Sequence, residues 1–184
     1  DGVINDKDRT VIGNPFPKAT WGISNTFRWK GFDLYFLIQG VSGLDVFNGD
    51  GYYTESKKFN RNYVKDRWIS AEYPGDGRTP TVGSAGISWE FTDYMIEDGS
   101  FVALRDVVLG YTFDKKKLKK AGLNSLRLYA SGQNLLYFWG KSYRGINPEA
   151  RVTTGSYSSP LVNGYQRGGF PIQSTVNIGF ELNF

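Results

Sequence analysis

The sequence predicts an all-β fold: an antiparallel transmembrane β-barrel wall with long loops on one side. Three observations predict it. Apolar and polar residues alternate with period two over runs longer than a soluble strand normally uses. The links between these runs are long and short by turns. Aromatic residues make up 16% of the 184, with 12 Tyr, 13 Phe and 5 Trp, which suits girdles at the headgroup level. The mean hydropathy of -0.40 looks soluble. Alternation dilutes that average, however, and a tilted strand crosses a bilayer in about 9–11 residues.

The elements follow in order. Residues 1–17 read as an outer segment. The first strand, about 18–30, sets Trp21, Ile23, Phe27 and Trp29 against Gly22, Ser24, Thr26, Arg28 and Lys30, with Asn25 breaking the apolar face. Lys30-Gly31 is a two-residue hairpin turn. The second strand, about 32–41, sets Phe32, Leu34, Phe36 and Ile38 against Asp33, Tyr35, Leu37 and Gln39. A link of nearly sixty residues follows, from 42 to 99. In a compact soluble domain that length would count against the strands, whereas barrels carry such loops on the extracellular side. Inside it, Tyr63–Ile69 is expected to form a short helix.

The third strand, about 100–113, alternates Val107, Leu109, Tyr111 and Phe113 with Asp106, Val108, Gly110 and Thr112. Asp114 to Ser125 is short and polar and holds Lys115, Lys116, Lys117, Lys119 and Lys120. No aromatic interleaves these lysines, so they read as a solvated turn and not as a nucleic-acid site. The fourth strand spans about 125–139, the link 140–170 is long again, and the last strand spans about 171–184. In that strand Ile172, Val176, Ile178, Phe180, Leu182 and Phe184 occupy even positions, with only Ser174 out of pattern. If this strand ends on the periplasmic side, both short turns are periplasmic, and 1–17, 42–99 and 140–170 are extracellular. Trp21, Trp29, Tyr111, Phe113, Phe138 and Trp139 fall near strand ends, as girdle residues do.

Composition removes much chemistry. The chain has no Cys and no His, so disulfides, thiol catalysis, a Ser-His-Asp site and a His-bearing zinc site are excluded. The net charge is +4. Glu97 and Asp98 are adjacent, so on a strand they point to opposite faces and cannot flank one glycosidic bond. No enzyme is predicted.

Four features remain as candidates for function. Asp1-Gly2-Val3-Ile4-Asn5-Asp6-Lys7-Asp8 resembles the second half of a calcium loop, with Asp1, Val3 and Asp8 as Ca2+ ligands. An Asx-rich turn is the alternative. Phe180, Leu182 and the terminal Phe184 look like an outer-membrane assembly signal, against an ordinary closing strand. The loop aromatics Tyr52, Tyr53, Trp68, Tyr73, Trp89 and Tyr94 would either contact a ligand or a lid protein, or fold the loops on themselves. Arg105 and Asp106 would form an ion pair on the lumen side.

Five strands cannot close a barrel, which needs at least about eight. At this point the residues carry a resemblance. The stretches are Asp1–Thr10 with Ile12-Gly13-Asn14-Pro15, then Glu97–Phe101, Leu104-Arg105-Asp106-Val107 and Leu109-Gly110-Tyr111. Leu128-Tyr129, Gly132–Leu135, Asn147-Pro148-Glu149, Gly169-Phe170-Pro171 and Phe184 complete them. In this order and spacing the chain resembles the C-terminal portion of a SusC/RagA-type TonB-dependent transporter. The resemblance implies a barrel of about 22 strands with a plugged lumen, in the outer membrane of a Gram-negative bacterium. It implies a SusD-like surface lipoprotein as lid, import of oligosaccharides or peptides, and energy from the TonB complex. The plug, the TonB box and the N-terminal extension are expected outside these 184 residues. The rival readings are a soluble carbohydrate-binding β-sandwich and a passive porin-like barrel.

Overall fold

The computed structural model describes residues 2, 5–49, 67–77, 79, 81, 92–119, 122–150, 163–166 and 169–184. Among these residues eight strands form: β1 (Ala19–Trp29), β2 (Phe32–Ser42), β3 (Asp45–Asn48), β4 (Ile96–Asp98), β5 (Phe101–Thr112), β6 (Ser125–Trp139), β7 (Tyr165–Gln166) and β8 (Thr175–Asn183). They belong to two compact units. Residues 18–42, 100–139 and 171–184 make a five-stranded antiparallel sheet in the order β1-β2-β5-β6-β8. Residues 1–17, 43–99 and 140–170 make the second unit, built on the short sheet β4-β3-β7.

The large sheet follows from its alternation. Its register aligns apolar residues in rows across all five strands. One row is Phe27, Leu34, Leu109, Ala130 and Ile178, and the next is Trp29, Phe32, Tyr111, Leu128 and Phe180. These side chains form one face, and it is open: Ile178 is 87% exposed and Phe180 66%. The opposite face carries polar rows such as Thr26, Tyr35, Val108, Ser131 and Asn177. Trp139 lies on this polar face, opposite Phe101 in the register and in contact with the Tyr137 ring. The sequence reading had placed it with Phe138 in the girdle. Neighbours on a strand cannot share a face, and Phe138 takes the apolar one.

One irregularity keeps β5 in phase with the faces. On β5, Leu104 and Val107 both belong to the apolar face although they are three residues apart. A β-bulge at Arg105 resolves the conflict, because the register shifts there against both β2 and β6. Without it, every side chain beyond that point would invert. On β6 the partner is Asn134, whose φ of 51° is a conformation Asn tolerates better than most residues. Its carbonyl accepts from the Ser174 hydroxyl (2.7 Å) and its amide donates to the Gln173 carbonyl (3.5 Å). Side chains thus replace the ladder here, and β8 begins at Thr175, four residues later than the alternation suggested.

The turns are locally encoded. Lys30 and Gly31 both take positive φ, 46° and 91°, the type I′ geometry that suits the twist of a hairpin. The lysine-rich link contains a helical turn, α1 (Lys115–Leu118), capped by Asp114, whose carboxylate accepts from the Lys116 N–H at 2.9 Å. Leu118 is buried and fixes the turn. The sequence reading had seen only a polar turn there.

The polar face holds an ion triad that spans the sheet. Arg127 on β6 is bidentate to Asp33 on β2, at 2.7 and 3.1 Å, and meets Glu181 on β8 at 3.0 Å. Between Asp33 and Arg127 runs β5, and the bridge passes over Gly110. A Cβ there would lie 2.6 Å from the Asp33 carboxylate and 2.7 Å from the guanidinium. Gly110→Val is therefore expected to cost about 1.5–3 kcal/mol, the worth of charge-assisted hydrogen bonds. It should cost much less in an Arg127→Ala background. Denaturant titration of the parent, both single variants and the double variant of the full-length protein measures the difference, and equal costs would show that the bridge is not what Gly110 accommodates.

Candidate functional site

The second unit has its own core. β3 pairs antiparallel with β4, setting Val46 opposite Glu97, and parallel with β7, setting Phe47 opposite Tyr165. These strands are two to four residues long, too short for any period to show in the sequence. Phe47 and Tyr165 stack with ring centroids 5.3 Å apart, and Val46 and Met95 are fully buried beside them.

That core is held by polar groups. Glu97 is 4% exposed and Asn48 1%. The Glu97 carboxylate accepts from the Arg144 Nε at 2.7 Å, the Arg144 backbone N–H at 2.8 Å and the Asn48 amide at 3.0 Å. The other arm of Arg144 donates to the Tyr94 hydroxyl and carbonyl, at 2.9 and 3.1 Å, and lies over the Tyr94 ring. Burial alone would depress the Arg144 pKa; the Glu97 and Tyr94 charges and hydrogen bonds hold it above its ordinary value. A second chain runs from the Tyr143 hydroxyl to Gln166 (2.7 Å), and from the Gln166 amide to the Pro148 carbonyl (2.7 Å). The two long links therefore share one core. Among the described residues no buried side-chain polar atom lacks a partner.

Beside the core is a cavity of about 520 Å³. Val11, Ile12, Pro15, Phe47, Ile96 and Tyr165 give it mostly apolar walls. Such a space accepts an apolar group and offers little to a hydroxyl-rich one. Asp45 sets one wall, accepting the Asn14 N–H at 2.8 Å on its carboxylate while its own N–H donates to the Asn14 carbonyl at 2.9 Å.

The residues singled out from the sequence are dispersed. Trp68 and Tyr73 are exposed, Tyr73 by 70%, on a small loop closed by the Ile69 N–H to the Tyr73 carbonyl and the Trp68 N–H to the Thr79 carbonyl. Neither lines the cavity. Tyr52, Tyr53 and Trp89 lie outside the described residues. So does most of the expected helix Tyr63–Ile69, and its described end, Arg67–Ile69, is not helical. Tyr94 folds inward onto Arg144. Of Asp1, Val3 and Asp8, only Asp8 is described. Its carboxylate accepts from the Asn5 N–H at 2.7 Å and closes a 3-10 turn over Asp6–Asp8. Among the described residues no three acidic side chains converge. Arg105 reaches Gln39 (2.6 Å), Asn134 (3.3 Å) and the Tyr137 hydroxyl, so the bulge orients it along the polar face toward neutral acceptors, where an ion pair with Asp106 had been expected. Phe180 and Leu182 stand exposed on the edge strand β8, and Phe184 is exposed just past its end. Glu97, Arg144, Asn48 and Gln166 were not anticipated as a group. The one signal was that Glu97 and Asn147-Pro148 fall in stretches that carry the family resemblance.

No protein-family model matches the chain. Over its whole length it is 33% identical to TonB-dependent receptor P3 of Formosa agariphila and 24% identical to TonB-dependent receptor SusC of Bacteroides thetaiotaomicron. It spans 18% and 17% of those proteins, so under a fifth of the curated relatives it matches. Among solved structures, the RagAB peptide importer in its closed-closed state superposes on 95% of the chain with a TM-score of 0.70 at 21% identity, over 18% of that chain. Its open-open state gives 0.68. These relatives are receptors and an importer by name.

The shared core makes a testable demand. Arg144→Ala leaves Glu97 buried without its cation, a loss of about 3–5 kcal/mol for such a pair. In the full receptor, hydrogen exchange at the Val46, Phe47 and Glu97 amides should accelerate by orders of magnitude while β1 and β2 stay protected. Unchanged exchange at Phe47 would overturn the assignment of this pair as the lock of the loops.

Proposed function

The chain is a homologue of TonB-dependent receptors of the SusC/RagA type, and from that kinship we propose that it forms barrel wall and outer loops of an outer-membrane importer. The observation that carries the proposal is the open apolar face, continuous in register over five strands of 9–15 residues. In water such a face is a liability; against hydrocarbon it is what a wall requires. Both edges of the sheet need neighbours in lipid, where an unpaired backbone group costs several kcal/mol. The sheet is therefore one arc of a closed wall.

In this reading residues 1–184 are the C-terminal part of the receptor, and the plug and N-terminal extension belong to its other parts. The receptor sits in the outer membrane of a Gram-negative bacterium. TonB supplies the energy, a SusD-like lipoprotein covers the outer side, and the cargo is an oligosaccharide or a peptide. Trp68 and Tyr73, with Tyr52, Tyr53 and Trp89, are the contacts offered to lid or cargo; their support is the exposure of the first two. Phe180, Leu182 and Phe184 serve as the assembly signal, supported by the exposure of all three and the alternation of the first two along β8.

Ile178→Arg is expected to cost about 2–4 kcal/mol in vesicles, because the residue is central on a lipid-facing strand. On a soluble surface the same change stays within about 0.5 kcal/mol, and that outcome would favour the sandwich. For the import step, cells expressing the full receptor should stop accumulating a labelled cargo when the proton-motive force is collapsed. Continued uptake would identify a passive pore.

A further inference from the structure

The lysines of the β5–β6 link are not used by anything described so far. Lys115, Lys116 and Lys119 are exposed, and among the described residues none has a carboxylate partner. The acidic groups at this end of the sheet are otherwise engaged. Asp33 and Glu181 bind Arg127, and Asp114 caps α1. The lysines are also held in place. The cap fixes the first turn, buried Leu118 pins it, and the Leu123 and Gly122 N–H groups close it onto the carbonyls of Leu118 and Lys119.

The same end of the sheet carries an aromatic cluster on the apolar face. Phe32 and Tyr111 are 4.6 Å apart, and Phe113 meets Tyr111 edge-on at 4.9 Å. Trp29 stands in the same row, with the Lys30 ammonium 5.0 Å from its ring. Aromatic rings at the end of a lipid-facing sheet mark the headgroup level. Unpaired lysines one turn beyond them sit where headgroup phosphates lie, on stems long enough to reach back.

We propose that Lys115, Lys116 and Lys119, together with Lys30, form a binding surface for anionic phospholipid headgroups on the short-link side of the membrane. This rests on the barrel-wall reading above. The adjacent aromatic girdle favours lipid over an acidic polymer such as peptidoglycan, because it brings the bilayer to the lysines. Each lysine near an anionic surface contributes about a fivefold preference, on the order of a hundredfold for three, and the preference weakens as salt rises.

The test uses the full receptor in detergent, with phosphatidylglycerol and phosphatidylcholine as probes and native mass spectrometry as the readout. The parent should retain phosphatidylglycerol over phosphatidylcholine at low salt. A Lys115→Gln/Lys116→Gln/Lys119→Gln variant should lose most of that preference, and the matching triple Lys→Arg variant should keep it. Equal retention by the Gln variant would overturn the proposal. So would lysine-dependent binding to isolated peptidoglycan with no phospholipid preference. A receptor that folds and stays monomeric without detergent would overturn the wall reading itself, and the proposal with it, a result visible before any lipid is added.

Discussion

A sheet that meets hydrocarbon has to keep one face apolar almost throughout, and the register is the device that does so; Asn25 is the polar exception in the rows of this face. A slip of one residue in any strand would carry a full set of polar groups into lipid. Here the five strands hold a common register from the Lys30-Gly31 hairpin outward, and the alternation changes phase once, at Arg105. The bulge corrects that phase and in doing so turns a charged side chain along the polar face. Gln39, Asn134 and Tyr137 then surround it. The continuity of the apolar face along β5, and the polar setting of Arg105, are thus consequences of a single inserted residue.

The loop unit obeys the opposite physics. Its short strands enclose a buried centre of their own. At that centre stand a carboxylate and a guanidinium, and among the described residues no buried side-chain polar atom lacks a hydrogen-bond partner. Such a pair stabilises little compared with apolar residues of equal volume, but it tolerates only one arrangement of its partners. Two links separated in sequence by a strand, a turn and another strand are thereby given a single mutual geometry.

What was legible in the sequence follows this division. Strands of the large sheet announce themselves because alternation over about ten residues is hard to produce otherwise, and their bounds fell within one residue at every end but the start of β8. There, Asn134 substitutes side-chain hydrogen bonds for ladder, which no periodicity reports. The lysine turn hid a helical turn although Asp114 stood in capping position. Trp139 was misassigned by proximity to a strand end, when parity with Phe138 already settled its face. The loop core was illegible, because its members are single polar residues brought together from positions 48, 97, 144 and 166. Solvent-exposed aromatics drew attention in the sequence while the inward-facing polar residues organised the unit.

The Glu97–Arg144 pair also bears on how such receptors diversify. Residues 43–99 and 140–170 are encoded apart, yet each supplies half of one buried charge pair. A loop exchanged alone keeps its charge paired only where the other loop supplies the matching group. The two loops are therefore coupled through one buried pair, and a change of either charge has to be answered in the other.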